Sequence, residues 1–298
     1  DVYKRQALMC IIFILVVFGV FESKIHKISL NKIPIRIHVN GTRGKSSVVR
    51  LIAAGLRQGG LKTFAKTTGT IPRIINDKGK DLELHRLRSA TIGEQIRLIR
   101  FFGKKNPDAL VIECMAVNPQ YQWISEHNIV KSTLSVITNV RRDHVDEMGD
   151  TIRDIAYSLS NTIPFNSKIF TSEQLSLNFL KKIALKRNSK IIKSSDSGIE
   201  SSYMTKMPYL EHKENVELAL SVCMEAGVKR EKALAGMLKT VPDPGALLIW
   251  NLKNKNKFIS AFAANDPDST FRVWKLIKLK EKNKTCFFLN SRNDRRYR

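Results

Sequence analysis

Short runs of aliphatic and β-branched residues alternate with stretches of helical periodicity along most of the chain. IPIRIHV (33–39), ALVIECMAV (109–117), STLSVITNV (132–140) and SKIFTS (167–172) read as strands. Residues 45–58 read as a helix, with Val48, Leu51, Ile52 and Leu56 on one face and Gly59-Gly60 closing it. Residues 151–163 and 174–187 are further helix candidates. Strands interleaved with helices predict an α/β fold with a mainly parallel sheet covered on both faces. TVPDPGALL (240–248) breaks the pattern with two prolines and a glycine, which bounds a central unit of about 31–240. Beyond it a strand (257–266), a helix (268–281) and a last strand (284–290) read as the start of a second α/β domain, 245–298, expected to be truncated.

Residues 7–21, ALMCIIFILVVFGVF, carry no charge. Fifteen helical residues reach about 22 Å, short of the ~30 Å hydrocarbon core. A signal-peptide core has that length, but no small-residue cleavage site follows. The lysines of ESKIHKISLNK suit a cytoplasmic flank, so the expectation is a single-pass membrane anchor with the remaining chain in the cytoplasm. The chain opens on DVYKRQ without Met, so its first residues are expected to be missing or spurious.

Charge adds one constraint. A net charge of +24 suits an anionic membrane surface or an acidic polymer, but the basic residues are spread along the chain with no nucleic-acid motif among them. No specific nucleic-acid partner is expected. The four cysteines are scattered without a CxxC pair, which excludes a disulfide framework and a structural zinc site.

The candidate chemistry begins at HVNGTRGKSSVVRLIAAGL (38–56), between a predicted strand and a predicted helix. Backbone N–H groups from Gly41 to Ser46 can converge there on phosphate oxygens at the positive end of the helix. Lys45 would reach the terminal phosphates of ATP and the Ser46 hydroxyl a Mg²⁺ ion. Val39 stands where the GxxxxGK[ST] pattern has glycine, so a turn with a helix cap is the competing reading. Glu113 and His144 lie at or just past the ends of neighbouring strands, where open α/β sheets bind ligands. With Ser46 they make a partial Mg²⁺ shell. Alternatively, Glu113 is a buried ion-pair partner and His144 caps a turn in RRDHVDEMG. Asn215 could equally be a surface residue of its helix.

N-G-T-x-G-K-[ST] resembles the ATP loop of the Mur ligase family, the ATP-dependent amide-bond ligases of cell-wall and folylpolyglutamate synthesis. TNVRRDHVDEMG (138–149) resembles that family's D-H-x-D motif, whose histidine helps to hold Mg²⁺, and VIECMAVNP (111–119) its metal-binding glutamate. HKENVELAL (212–220) resembles the asparagine helix near adenine, and AANDPDSTF (263–271) the aspartate motif opening the C-terminal domain. KTTGT (66–70), IGEQ (92–95) and PDPGA (242–246), with the N-terminal apolar helix, look like the ligase subunits of poly-γ-glutamate synthases.

The resemblance implies a P-loop central domain that activates a glutamate γ-carboxyl as an acyl phosphate. Lys45, Glu113 and His144 would be its catalytic residues, and Ser46, Glu113 and His144 its metal ligands. Gly41, Thr42, Arg43, Gly44, Lys45, Ser46, Ser47, Asn215 and Asp266 would contact the nucleotide. ATP and Mg²⁺ would be the cofactors, glutamate and the poly-γ-glutamate chain the substrates, and small membrane subunits of the same synthase the partners. Two departures stand out. AYSLSNTI (156–163) lacks the lysine that many Mur ligases place there, and Leu247-Leu248 stands where an arginine is expected. The competing function is a membrane-attached P-loop NTPase driving transport or assembly, for which a second strand ending in aspartate would be expected.

Overall fold

A computed structural model describes residues 2–69, 71–86, 91–194, 198–244, 246–254, 256–261, 264, 267–280 and 286–288. Strands β1 (Ile35–Asn40), β2 (Thr63–Thr67), β3 (Arg73–Ile75), β4 (Asp81–Glu83), β5 (Ala109–Glu113), β6 (Leu134–Ile137), β7 (Lys168–Thr171) and β8 (Lys190–Lys193) form one sheet, ordered β4-β3-β2-β5-β1-β6-β7-β8. From β2 to β8 every neighbouring pair is parallel. At the other edge β3 and β4 fold back antiparallel.

The helices are α1 (Val2–Asn31), α2 (Lys45–Gln58), α3 (Gly93–Gly103), α4 (Pro119–Ile124), α5 (Val145–Met148), α6 (Ile152–Ser160), α7 (Leu177–Lys186), α8 (Ser201–Thr205), α9 (Lys213–Glu225), α10 (Arg230–Met237) and α11 (Pro267–Lys280). A π-helical turn, Ser125–Val130, continues α4.

Three apolar clusters cover the sheet. Ile37, Val39, Ala109 and Val111 pack under α2, α9 and α10. Leu110 and Ile112 point the other way, toward Ile99 and Phe102 of α3. Ile137 and Ile169 meet α6 and α7. Both faces of β5 are therefore buried, which is why its sequence is a continuous apolar run without alternation. The chain leaves β1 through α2 toward β2, and later crosses from β5 through α4 to β6 on the opposite side. That reversal opens a crevice at the carboxyl ends of β1, β5 and β6.

The strands are shorter than the apolar runs that predict them. β1 starts at Ile35 because Pro34 has no N–H to give the ladder. β5 ends at Glu113, not residue 117, since the chain turns there to reach the Asn118 cap of α4. Helix α6 is held to Ile152–Ser160, with Thr151 and Asp154 in a capping box. Helix α2 matches its predicted span but is buried on more than one face, because α9 and α10 cover what one helix on a sheet would expose. After residue 240 two antiparallel strands, β9 (Leu248–Asn251) and β10 (Lys257–Ser260), replace the single strand expected at 257–266. Most of the strand expected at 284–290 lies outside the described residues, and Cys286 to Phe288 carry no regular structure.

The apolar N-terminal run is only part of α1, which has 30 residues and so spans about 45 Å. Its most apolar stretch has a mean hydropathy of 2.4 and none of it is buried, so the helix is long and apolar enough to cross a membrane. Its last turns belong to the globular domain. His26 Nε2 lies 2.7 Å from the Ile129 carbonyl, and Arg100 donates to Glu22 Oε1 at 2.9 Å.

Candidate nucleotide and metal site

The turn from β1 into α2 is built on a buried polar floor. Asn40, the last residue of β1, donates its amide to Gln122 Oε1 at 2.8 Å and Thr162 Oγ1 at 3.2 Å. Two glycines then shape the loop. At Gly41 (φ +131°) a Cβ would stand 2.1 Å from Thr138 Oγ1, and at Gly44 (φ +80°) it would stand 3.0 Å from Asn215 Oδ1. No side chain caps α2. Its first-turn N–H groups are therefore presented to an outside acceptor at the positive end of the helix dipole.

The expected cradle is narrower than Gly41 to Ser46. The Thr42 N–H donates to the Asn139 carbonyl at 3.0 Å and the Arg43 N–H to Asn139 Oδ1 at 3.1 Å. These bonds hold the loop in shape and leave the donors at Lys45, Ser46 and Ser47 for an anion. Lys45 Nζ folds back onto the Gly41 and Thr42 carbonyls at 2.7 and 3.3 Å, which keeps the ammonium at the loop.

Glu113 is brought directly under this helix end. Its Oε2 accepts from Ser46 Oγ and from the Thr68 N–H, both at 2.7 Å, and the residue is only 3% exposed. Among the described residues it makes no ion pair, so the ion-pair alternative is not what the fold uses. A carboxylate and a hydroxyl in contact are hard oxygen donors and fit Mg²⁺. No trio of His, Cys, Asp or Glu side chains converges on one point among the described residues. A metal at Glu113 and Ser46 would therefore complete its shell with phosphate oxygens and water.

His144 adopts a left-handed backbone (φ +48°) at the start of α5, without a side-chain capping bond. Its Nε2 lies 3.7 Å from Asp143 Oδ2, and the Arg43 guanidinium is 3.3 Å from that same oxygen. Asp143 thus links His144 to the phosphate loop. Asn215, in the first turn of α9, is no surface residue: it is buried against Gly44 and donates to Glu211 Oε1 at 2.8 Å. Asp266 lies outside the described residues.

Two strings left without a role meet beside Glu113. Lys66 of KTTGT is fully buried with Nζ 3.0 Å from Glu94 Oε1 of IGEQ, and Arg86 clamps the same carboxylate at 2.6 and 2.9 Å. Burial lowers the Lys66 pKa, opposed by Glu94 and Glu113. Burial also works against ionisation of Glu94, but Arg86 and Lys66 outweigh it and hold that carboxyl below its usual range. Asn139 and Asp143 were missed as site residues. Their only signal was membership of the quoted strings at strand ends.

Residues 39–241 match the Mur ligase middle domain, and residues 249–298 match the poly-gamma-glutamate synthase CapB C-terminal domain. The chain is 38% identical over 275 residues to the capsule biosynthesis protein CapB of Bacillus anthracis, covering 90% of this chain and 59% of that protein. It is 38% identical over 270 residues to the PGA synthase CapB of Bacillus subtilis (strain 168), covering 89% of this chain and 69% of that one. The chain thus spans about three-fifths to two-thirds of the length of these relatives. Among solved structures, E. coli FolC in complex with ADP has the same fold, with a TM-score of 0.70 at 16% identity over 88% of this chain and 71% of that chain. The chain belongs to the Mur ligase family, on the branch of the CapB proteins.

Proposed function

We propose that this chain is the ATP-binding part of an ATP-dependent amide ligase that lengthens poly-γ-glutamate. The observation that carries the reading is the contact of Ser46 with Glu113 beneath the uncapped end of α2. Joining a carboxylate to an amine at neutral pH requires activation. Transfer of the terminal phosphoryl group of ATP to a glutamate γ-carboxylate gives an acyl phosphate and ADP. The incoming amine then forms the amide and releases inorganic phosphate and a proton. Both reacting groups are anionic, so the site must supply cations and aligned donors more than a covalent nucleophile. The Lys45 ammonium and the α2 amides do so on the phosphates. Glu113 and Ser46 would hold Mg²⁺, which spreads the charge of the transferring group, and Asn215 would border the nucleotide.

In this reading α1 anchors the chain in the cell membrane with the ATP site in the cytoplasm. Membrane subunits of the same synthase are its partners, and the anionic lipid surface is its neighbour. The test has two arms. The whole chain in detergent micelles should bind ATP in a Mg²⁺-dependent way, and the membrane-reconstituted synthase should form ADP only when glutamate is supplied. ATP consumption indifferent to glutamate would favour a transport NTPase and end the ligase reading.

A further inference from the structure

A second cationic site lies beside α2, against the β3–β4 edge of the sheet: Arg50 reaches Asp81 of β4 and Arg57 donates to the Thr63 carbonyl of β2 at 3.4 Å. Arg50 and Arg57 are two turns apart and point the same way. They line a cavity of about 240 Å³, closed by Lys78 on the turn after β3 and by Lys239 and Thr240 after α10. Against these four cations the lining holds one carboxylate, Asp77.

Arg50 is 2% exposed and has two carboxylates beside it, neither of which meets its Nη2. Its Nη1 donates to Asp81 Oδ2 at 2.8 Å and to the Val241 carbonyl at 3.3 Å, and its Nε lies 3.6 Å from Asp243 Oδ2. Its Nη2 is buried without a hydrogen-bond partner, and so is Thr240 Oγ1, on a residue 5% exposed. A buried donor without an acceptor costs about 1–3 kcal/mol. Two such groups beside a pair of like charges is an arrangement that folding alone does not favour. Burial and the neighbouring Arg50 press the Arg57 pKa down to about 10, so the Arg57 guanidinium stays charged at neutral pH.

We propose that this cavity binds an oxyanion, either a carboxylate of a γ-linked glutamyl chain or a phosphate, on Arg50 Nη2, Arg57, Lys78 and Thr240 Oγ1. An oxyanion supplies the acceptors these donors lack, and guanidiniums take carboxylate or phosphate with charge-assisted bonds. The site is separate from the phosphate loop, although Asp243 connects them. That carboxylate lies by Arg50 on one side and, on the other, within 3.2 Å of where a Gly69 Cβ would stand, itself 3.0 Å from Ser46 Oγ. Only the glutamyl source rests on the ligase reading; the oxyanion chemistry does not.

The test titrates the whole chain in detergent micelles, without nucleotide, with a γ-glutamyl trimer and separately with inorganic phosphate. The parent is compared with an Arg57→Gln/Lys78→Gln double variant and with Thr240→Val. At least one anion should bind the parent, about tenfold more weakly in the double variant and more weakly in Thr240→Val, with ATP affinity unchanged. Arg57→Gln removes both a like-charge contact with Arg50 and the 3.4 Å bond to the Thr63 carbonyl, so the melting temperature of the empty protein should stay within a few degrees of the parent's. Binding of the trimer identifies the polymer as ligand, and binding of phosphate alone identifies phosphate. Phosphate held only by the phosphate loop would be insensitive to these substitutions. The proposal is overturned if neither anion binds, or if both variants bind as the parent does. No readout uses ATP turnover, so failure of the ligase reading would appear separately.

Discussion

Raising the pH from 7 to 9 should weaken this fold through one buried pair. His38 Nδ1 in β1 lies 2.7 Å from Glu126 Oε2, with the two side chains 0% and 1% exposed. Glu126 Oε1 also accepts from the Ser132 N–H and hydroxyl at 2.9 and 2.8 Å. Burial alone would lower the His38 pKa, but Cys114 and Glu126 outweigh it and push it up to about 10. An unfolded histidine titrates near 6.5. The folded chain therefore holds this proton more tightly, and the contribution is complete below about pH 6.5 and lost as pH rises toward 10. Glu126 runs the opposite way. Burial opposes its ionisation, His38 and Ser132 prevail, and its depressed pKa makes a contribution present above about pH 4.5 and lost in acid.

Across two pH units the His38 linkage amounts to at most about 2.7 kcal/mol. Burial works against the charged imidazole throughout, so the expected loss is about 1–2 kcal/mol. Urea midpoints between pH 6.5 and 9 would measure it, comparing the parent with a His38→Asn/Glu126→Gln double variant. Stability curves of equal slope in the two proteins would refute the reasoning.

Lys45→Ala should cut glutamate-dependent ATP turnover at saturating ATP by more than tenfold and leave the melting temperature within a degree or so, because the ammonium supports only two loop carbonyls. Turnover above a tenth of the parent rate would remove Lys45 from its assigned role. Ser46→Ala and Glu113→Gln should each raise the Mg²⁺ needed for ATP binding, and the double variant should fall short of the sum; full additivity in calorimetric titration would argue against a shared ion. Gly41→Ala forces a Cβ to within 2.1 Å of Thr138 Oγ1 at a positive φ and should destabilise the domain by about 1–3 kcal/mol while weakening nucleotide binding, read from denaturant midpoints and ATP titration.

Local chemistry announced the parts of this site that stand on local chemistry. Gly41, Gly44 and Lys45 could be found because a strand, a turn and a helix are adjacent in sequence there. Glu113 was visible as a carboxylate closing an apolar run. What depended on distant pairing was not legible. The role of Asn139 rests on bonds to Thr42 and Arg43 across almost a hundred residues. The Lys66–Glu94 pair joins strings that nothing in either one connects. The reach of α1 was misjudged for a related reason. Hydropathy ends at residue 21, whereas the helix continues because Glu22, His26 and Leu30 find partners in the folded domain.

The position of Glu113 shows where the division falls. ALVIE does not alternate, so its residues give no sign of which face of β5 meets α2. Pairing decides it: Val39 of β1 stands opposite Glu113, with Ile37 opposite Val111. Ala109 and Val111 pack with the α2 cluster and Leu110 and Ile112 with the α3 cluster, so parity puts Glu113 on the α2 side. The chain leaves β1 one residue after Val39, and the first turn of α2 passes over the carboxylate that Val39 has already placed. A register shift of one residue would send Glu113 under α3 and set Ile112 against Ser46, keeping every hydrogen-bonding strand and losing the oxygen pair. The apolar residues on both faces hold that register, so the packing of β5 and the chemistry at its end are one constraint.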